Sequence, residues 1–265
     1  MKNRAGNTAR VLLFYLCSLA ILMFTSRLTK SLSKQAADLA SIGAAVLLTT
    51  ALVLLFTRWN KYRLSDIGLT PGKSTVQRFA YGFLIGLLMA VMQALTVAGI
   101  SSHLKLIVVS NFNIAGILAP LILYFLVACR EELVFRSYSL RTLDNTFSSV
   151  IAIAVMVGIF IFEHIISGMP LTTALLGVGL GGVLFSIAAL KTKGLALPLG
   201  LHFAWNFGQW IVGFKNTPGI FNAVVDKGYE SRTETLSLII YTAIMLLAIT
   251  GIVLFYRKNR LDQGH

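Results

Sequence analysis

The chain has 265 residues, of which 56% are hydrophobic and 12% charged, and its mean hydropathy is +0.79. A soluble domain carries about 25% charged residues, so this much apolar surface excludes a single soluble core and predicts a polytopic, all-α membrane protein. The net charge of +13 does not point to nucleic acid, because Lys and Arg stand in short clusters between apolar runs, as in cytoplasmic membrane loops.

The first ten residues and the apolar run at 11–26 have the outline of a signal peptide. No small-x-small cleavage site follows, so a retained first helix is expected. Eight apolar segments succeed one another at about 11–26, 39–57, 79–100, 114–135, 147–166, 171–190, 195–213 and 236–256. Most reach the roughly 17–25 residues a spanning helix needs. The first is short, and the sixth and seventh are separated only by residues 191–194. In lipid a helix satisfies its own backbone polar groups, so strands are not expected. The whole chain, 1–265, reads as one integral-membrane domain of about eight transmembrane helices, with its chemistry concentrated at about 114–213.

Placing the N-terminus in the cytoplasm puts fifteen Lys and Arg in the inner loops and seven in the outer ones. That asymmetry predicts both termini in the cytoplasm. Gly82/Gly86 and Gly177/Gly181 have the GxxxG spacing of close helix packing. Cys17 and Cys129 lie in apolar runs and imply neither a disulfide framework nor a zinc–thiolate site. The stretch 214–235, with three basic and three acidic residues, is a connector or a gate.

Ionisable groups inside apolar helices are costly and face a cavity, a partner or a reaction centre. This chain has Arg130, Glu131, Glu132, Arg136, Glu163, His164 and His202, with Asn206 as an uncharged companion. Glu132 and Arg136 are four apart and share a helix face, as a clamp or as the charged end of a helix. Glu131 is about 100° around that helix and points elsewhere. Phe160/His164 and His202/Asn206 are also spaced four apart, and Pro198 and Gly200 are expected to loosen the helix near the latter pair. Neither H-E-x-x-H nor H-x-x-E-H occurs; Phe160 stands where the second pattern needs His. One carboxylate and two imidazoles from three helices can converge on a water or a metal, and Glu with two His is a known catalytic zinc set. An Asn beside that centre can donate to a developing oxyanion.

Glu131-Glu132-x-x-x-Arg136, Phe160-x-x-x-His164 and His202-x-x-x-Asn206, in this order on successive segments, resemble the CPBP family. Its members are CAAX prenyl endopeptidases and bacteriocin-processing (Abi) proteins. The resemblance implies an intramembrane endopeptidase, a hydrolase acting on a membrane-associated peptide or protein at the lipid bilayer. Glu131 would activate a water, His164 would hold that water or bind a metal, and His202 and Asn206 would orient the carbonyl and stabilise the oxyanion. Glu132, Arg136 and Phe160 would support the site. Family chemistry is described both as zinc-dependent, with His164, His202 and Glu131 as ligands, and as glutamate-activated water without a metal. A bacterial cytoplasmic membrane is expected, with a leader peptide, pheromone precursor or other membrane protein as substrate rather than a prenylated one. A non-proteolytic relative acting in bacteriocin immunity or as a peptide-binding scaffold is the main alternative. A proton-coupled transporter is a further one, but no inverted repeat supports it.

Straight-helix counting from Phe147 puts His164 roughly 25 Å deep, whereas Glu131 stands nearer the cytoplasmic end of its segment. The fourth helix is therefore expected to continue to about Leu140.

Overall fold

The computed structural model describes residues 4–110, 114–215 and 217–261. They are mostly helical, in the order α1 Arg4–Leu28, α2 Lys34–Trp59, α3 Thr75–Ile100, β1 Leu104–Val108, α4 Ile114–Glu132, α5 Ser139–Thr146, α6 Ser149–Ile166, α7 Leu171–Thr173, α8 Gly179–Thr192, α9 Ala196–Ile211, β2 Phe221–Val225 and α10 Glu230–Leu261. π-Helical turns at Leu133–Tyr138 and Ala174–Val178 join α4 to α5 and α7 to α8.

A helix occupies each of the eight apolar segments. Six stretches among the described residues are long and apolar enough to cross a membrane: Arg4–Leu28, Lys34–Trp59, Thr75–Ile100, Ser149–Ile166, Leu171–Thr192 and Glu230–Arg257. They present many leucines outward, among them Leu47, Leu84 and Leu247, as a lipid-facing surface requires. α9 is largely buried, and α4 is buried at its C-terminal end, where Arg130 and Glu132 lie, while its Leu118 and Ile122 face outward. At 16 residues, α9 spans about 24 Å, short of the roughly 30 Å hydrocarbon layer.

Strands occur, contrary to expectation. β1 and β2 pair antiparallel, from Leu104 opposite Val225 to Val108 opposite Phe221. They lie in the connections after α3 and α9, where β-branched residues replace the helical apolar pattern.

The tightest helix pair is α3 with α9. A side chain at Gly86 would stand 2.5 Å from the Leu201 carbonyl oxygen, and one at Gly82 would overlap the Leu197 carbonyl. Gly200 opposes the backbone of Phe79 and Phe83 in the same seam. Gly200 therefore closes α9 onto α3 rather than loosening it, and Pro198 lies in the first turn of α9, where its missing N–H costs nothing. Gly177 and Gly181 do not form a comparable seam: their neighbours are side chains, Thr173 and Tyr241. Cys17 and Cys129 are free.

α4, its π-helical turn and α5 run as one helical stretch to Thr146, past the expected end at Leu140 and with a kink at Ser137 (φ −86°, ψ −106°). The chain reverses at Phe147–Ser148, and Ser148 caps α6 by accepting from the Ile151 N–H at 3.4 Å. Glu131 precedes Phe147 by 16 residues, and His164 follows Ser148 by 16. Residues equidistant from a helical reversal meet at one depth, which resolves the mismatch that straight-helix counting gave.

Candidate active site

Glu131 and Glu132 are the last two residues of α4, and the π-helical turn begins at Leu133. Such insertions widen the helix and recur at functional sites. Here the turn buries Arg136 beside Glu132, with Nη1 3.4 Å from Oε1 and both side chains 1% exposed. Three rings hold the guanidinium: Phe160 at 4.6 Å, and Phe135 and Phe185 at 5.5 Å each. Buried cations need such compensation, and the ring faces supply it.

His202 of α9 reaches both glutamates. Its Nδ1 lies 2.9 Å from Glu132 Oε1 and its Nε2 lies 3.4 Å from Glu131 Oε2. A carboxylate only accepts, so Nδ1 carries a hydrogen and donates it to Glu132. By the same argument Nε2 holds the Glu131 carboxylate only through an N–H of its own. Phe185 stacks on the imidazole, with centroids 4.6 Å apart and planes at 16°, and fixes its orientation. Glu131 is 14% exposed and Glu132 1%, so water reaches the first carboxylate and not the second.

His164 lies one turn beyond Phe160 on α6. Its Nδ1 donates to the Phe160 carbonyl at 2.9 Å, leaving Nε2 as an acceptor. The Phe160 ring meets His164 edge-on at 4.7 Å and Phe135 at 4.7 Å. One residue earlier on each helix, Arg130 and Glu163 form a buried ion pair at 2.5 Å.

Glu131, Phe160, His164, His202 and Asn206 all line one cavity of about 640 Å³; Glu132 and Arg136 stand behind it. Its wall continues through Gln93, Gln209, Lys215, Glu230, Glu234 and Ser237. Gln209 donates to Gln93 at 2.8 Å, and Gln93 donates to the Ser237 carbonyl at 3.0 Å, so α9, α3 and α10 share one polar chain. Lys215, in the stretch after α9, donates to Asn206 Oδ1 at 3.1 Å. Desolvation holds its ammonium below the ordinary lysine range, and the Glu131 charge pulls the other way.

Glu131, His164 and His202 share the cavity, yet no three His, Cys, Asp or Glu side chains among the described residues are grouped to hold a metal ion. Both His202 nitrogens face carboxylates, which leaves that ring no free nitrogen for zinc. The arrangement does not fit a zinc ion on these three ligands.

Four contributors were not evident as partners in the sequence. Phe185 lies in an apolar run without distinguishing spacing, and Lys215 is brought back to Asn206 by a tight turn. Arg130 and Glu163 were visible as membrane-embedded charges, and their one-residue offset from Glu131 and His164 signals the pairing in retrospect.

The family of type II CAAX prenyl endopeptidase Rce1-like proteins matches residues 113–208, the stretch from α4 into α9. No curated protein and no solved structure matches the chain. The matched stretch contains every residue of the three ordered motifs. Over residues 113–208, the chain is similar to the CAAX protease family.

Proposed function

We propose that this chain is an intramembrane endopeptidase that cleaves a membrane-associated peptide or protein with a water activated by Glu131. The observation that carries the reading is His202 bridging two glutamates on a cavity that His164 and Asn206 also line.

Glu131, open to the cavity, takes a proton from a water, and the oxygen attacks the peptide carbonyl. The carbonyl becomes a tetrahedral oxyanion, which accepts from the Asn206 amide. Glu131 then returns the proton to the leaving nitrogen as the C–N bond breaks, giving an amine and a carboxylic acid that ionises by releasing the second water proton to solvent. The His164 Nε2 orients the water by accepting its second hydrogen. His202 holds the Glu131 carboxylate through Nε2–H, and Glu132 holds the His202 ring in place by accepting from Nδ1. Arg136, clasped by Phe160 and Phe185, neutralises Glu132. No step is routed through a metal.

The same reading takes the chain as a single domain with its catalytic core at about 114–213, eight spans and both termini in the cytoplasm of a bacterial plasma membrane. The Lys and Arg asymmetry supports that orientation. Terminal-fragment proteomics of a strain expressing wild type, Glu131→Ala or His164→Ala tests the function. New membrane-peptide termini should appear with wild type and vanish in both variants. Normal expression with wild-type cleavage in both variants would sink it.

A further inference from the structure

We propose that Lys215 is a positioning residue that locks the Asn206 amide with its two Nδ2 hydrogens facing the reacting carbonyl. The inference rests on the hydrolytic reading of the Glu131 site. An ammonium donates and does not accept. At 3.1 Å from Lys215 Nζ, Asn206 therefore presents Oδ1, and the NH₂ group turns away from the lysine. No other described residue hydrogen-bonds to that NH₂. Both residues line the cavity that holds Glu131, so the amide hydrogens are available where an oxyanion would form.

The backbone explains how a loop lysine holds this place. α9 ends in a Schellman motif: the Gly213 N–H donates to the Trp210 carbonyl at 3.0 Å, and the Phe214 N–H to the Gln209 carbonyl at 2.8 Å. Gly213 has φ +79°, and a side chain there would stand 2.6 Å from the Ala223 nitrogen of β2. The turn is thus confined by β2, and it returns Lys215 toward the helix that carries His202 and Asn206. The Tyr124 ring of α4, 5.7 Å from Nζ, holds the other flank of the ammonium.

No ion pair among the described residues involves Lys215. A lysine that only tied a loop down would pair with a carboxylate, and Glu230 and Glu234 are both on the cavity wall. Instead its charge stands behind the amide that meets the oxyanion, and adds to the field there.

The test uses the full-length protein in proteoliposomes and a mixed library of membrane-associated peptides, prenylated and unprenylated, read by mass spectrometry. The best-cleaved peptide gives kcat and KM. Lys215→Met should lower kcat about 10²-fold, the scale of one oxyanion donor, with KM within about twofold. Lys215→Arg should recover most of the rate. In an Asn206→Ala background, Lys215→Met should change kcat by less than about twofold, because the two residues act as one unit. Lys215→Gln serves in place of Met should the Met variant fail to fold. The proposal is overturned, with the hydrolytic reading intact, by a Lys215 variant as fast as wild type. An equal loss with and without Asn206 does the same. Absence of Glu131-dependent cleavage from the whole library overturns both readings together.

Discussion

Arg130 and Glu163 form a buried ion pair at 2.5 Å, one residue before Glu131 on α4 and one before His164 on α6. The pair sets the depth at which two site residues on different helices face one cavity. Removing either partner leaves a lone buried charge, which costs about 3–5 kcal/mol. Arg130→Ala and Glu163→Ala should each lower the unfolding temperature in detergent sharply. Arg130→Met/Glu163→Met should lie closer to wild type than either single variant. Additive losses would show that the pair is not the unit.

Arg136 is held by ring faces as much as by Glu132. Its planar guanidinium lies among Phe135, Phe160 and Phe185, a geometry that the compact lysine ammonium does not reproduce. Arg136→Lys should therefore lose about 10²-fold in kcat by displacing Glu132 and His202, although the charge is kept. Kinetics on folded protein check this, and full activity of the lysine variant would contradict it.

Phe185 touches both the Arg136 guanidinium and the His202 ring. Phe185→Ala should destabilise the fold by about 3–5 kcal/mol, the usual range for a buried Phe. It should also lower kcat, because the imidazole loses the plane against which it rests. Phe185→Tyr, which keeps the ring, should retain the stacking and most of the rate.

Two glycines of α3 should respond in opposite ways. Gly86→Val places a side chain against the Leu201 carbonyl, next to His202, and should impair both folding and cleavage. Gly99 has open space around it, so Gly99→Ala should be neutral or stabilising by about 0.5–1 kcal/mol. Thermal unfolding of the two variants distinguishes a packing requirement from a general intolerance of α3.

Hydropathy makes most of the bundle legible in the sequence, because lipid permits little besides apolar helices. The three motifs are legible because ionisable groups in such helices are rare enough to stand out. What is not legible arises from contacts between elements. β1 and β2 are short, and each depends on a partner more than a hundred residues away. The π-helical turn after Glu132 has no composition of its own, and it is what carries the helix to Thr146. The step of about 100° between the two glutamates separates their directions, and Arg136 stands beside Glu132. That His202 reaches both depends on α9 lying beside the end of α4, a contact between elements some seventy residues apart.

The ring nitrogens of His202 bear on the question of metal. With Nδ1 and Nε2 both directed at carboxylates, cleavage should persist in chelator-treated protein, and purified protein should contain no stoichiometric zinc. Metal analysis and cleavage after chelation check this; loss on chelation with rescue by zinc would contradict it.

The most direct test of the central claim is cleavage in ¹⁸O-labelled water by wild type and Glu131→Gln in the same proteoliposomes. The account predicts one ¹⁸O in the newly formed carboxyl group of the wild-type product. It also predicts a rate lower by about 10²–10⁴-fold in the variant, the range for a lost general base. A Glu131→Gln protein that is folded and cleaves at the wild-type rate would contradict it.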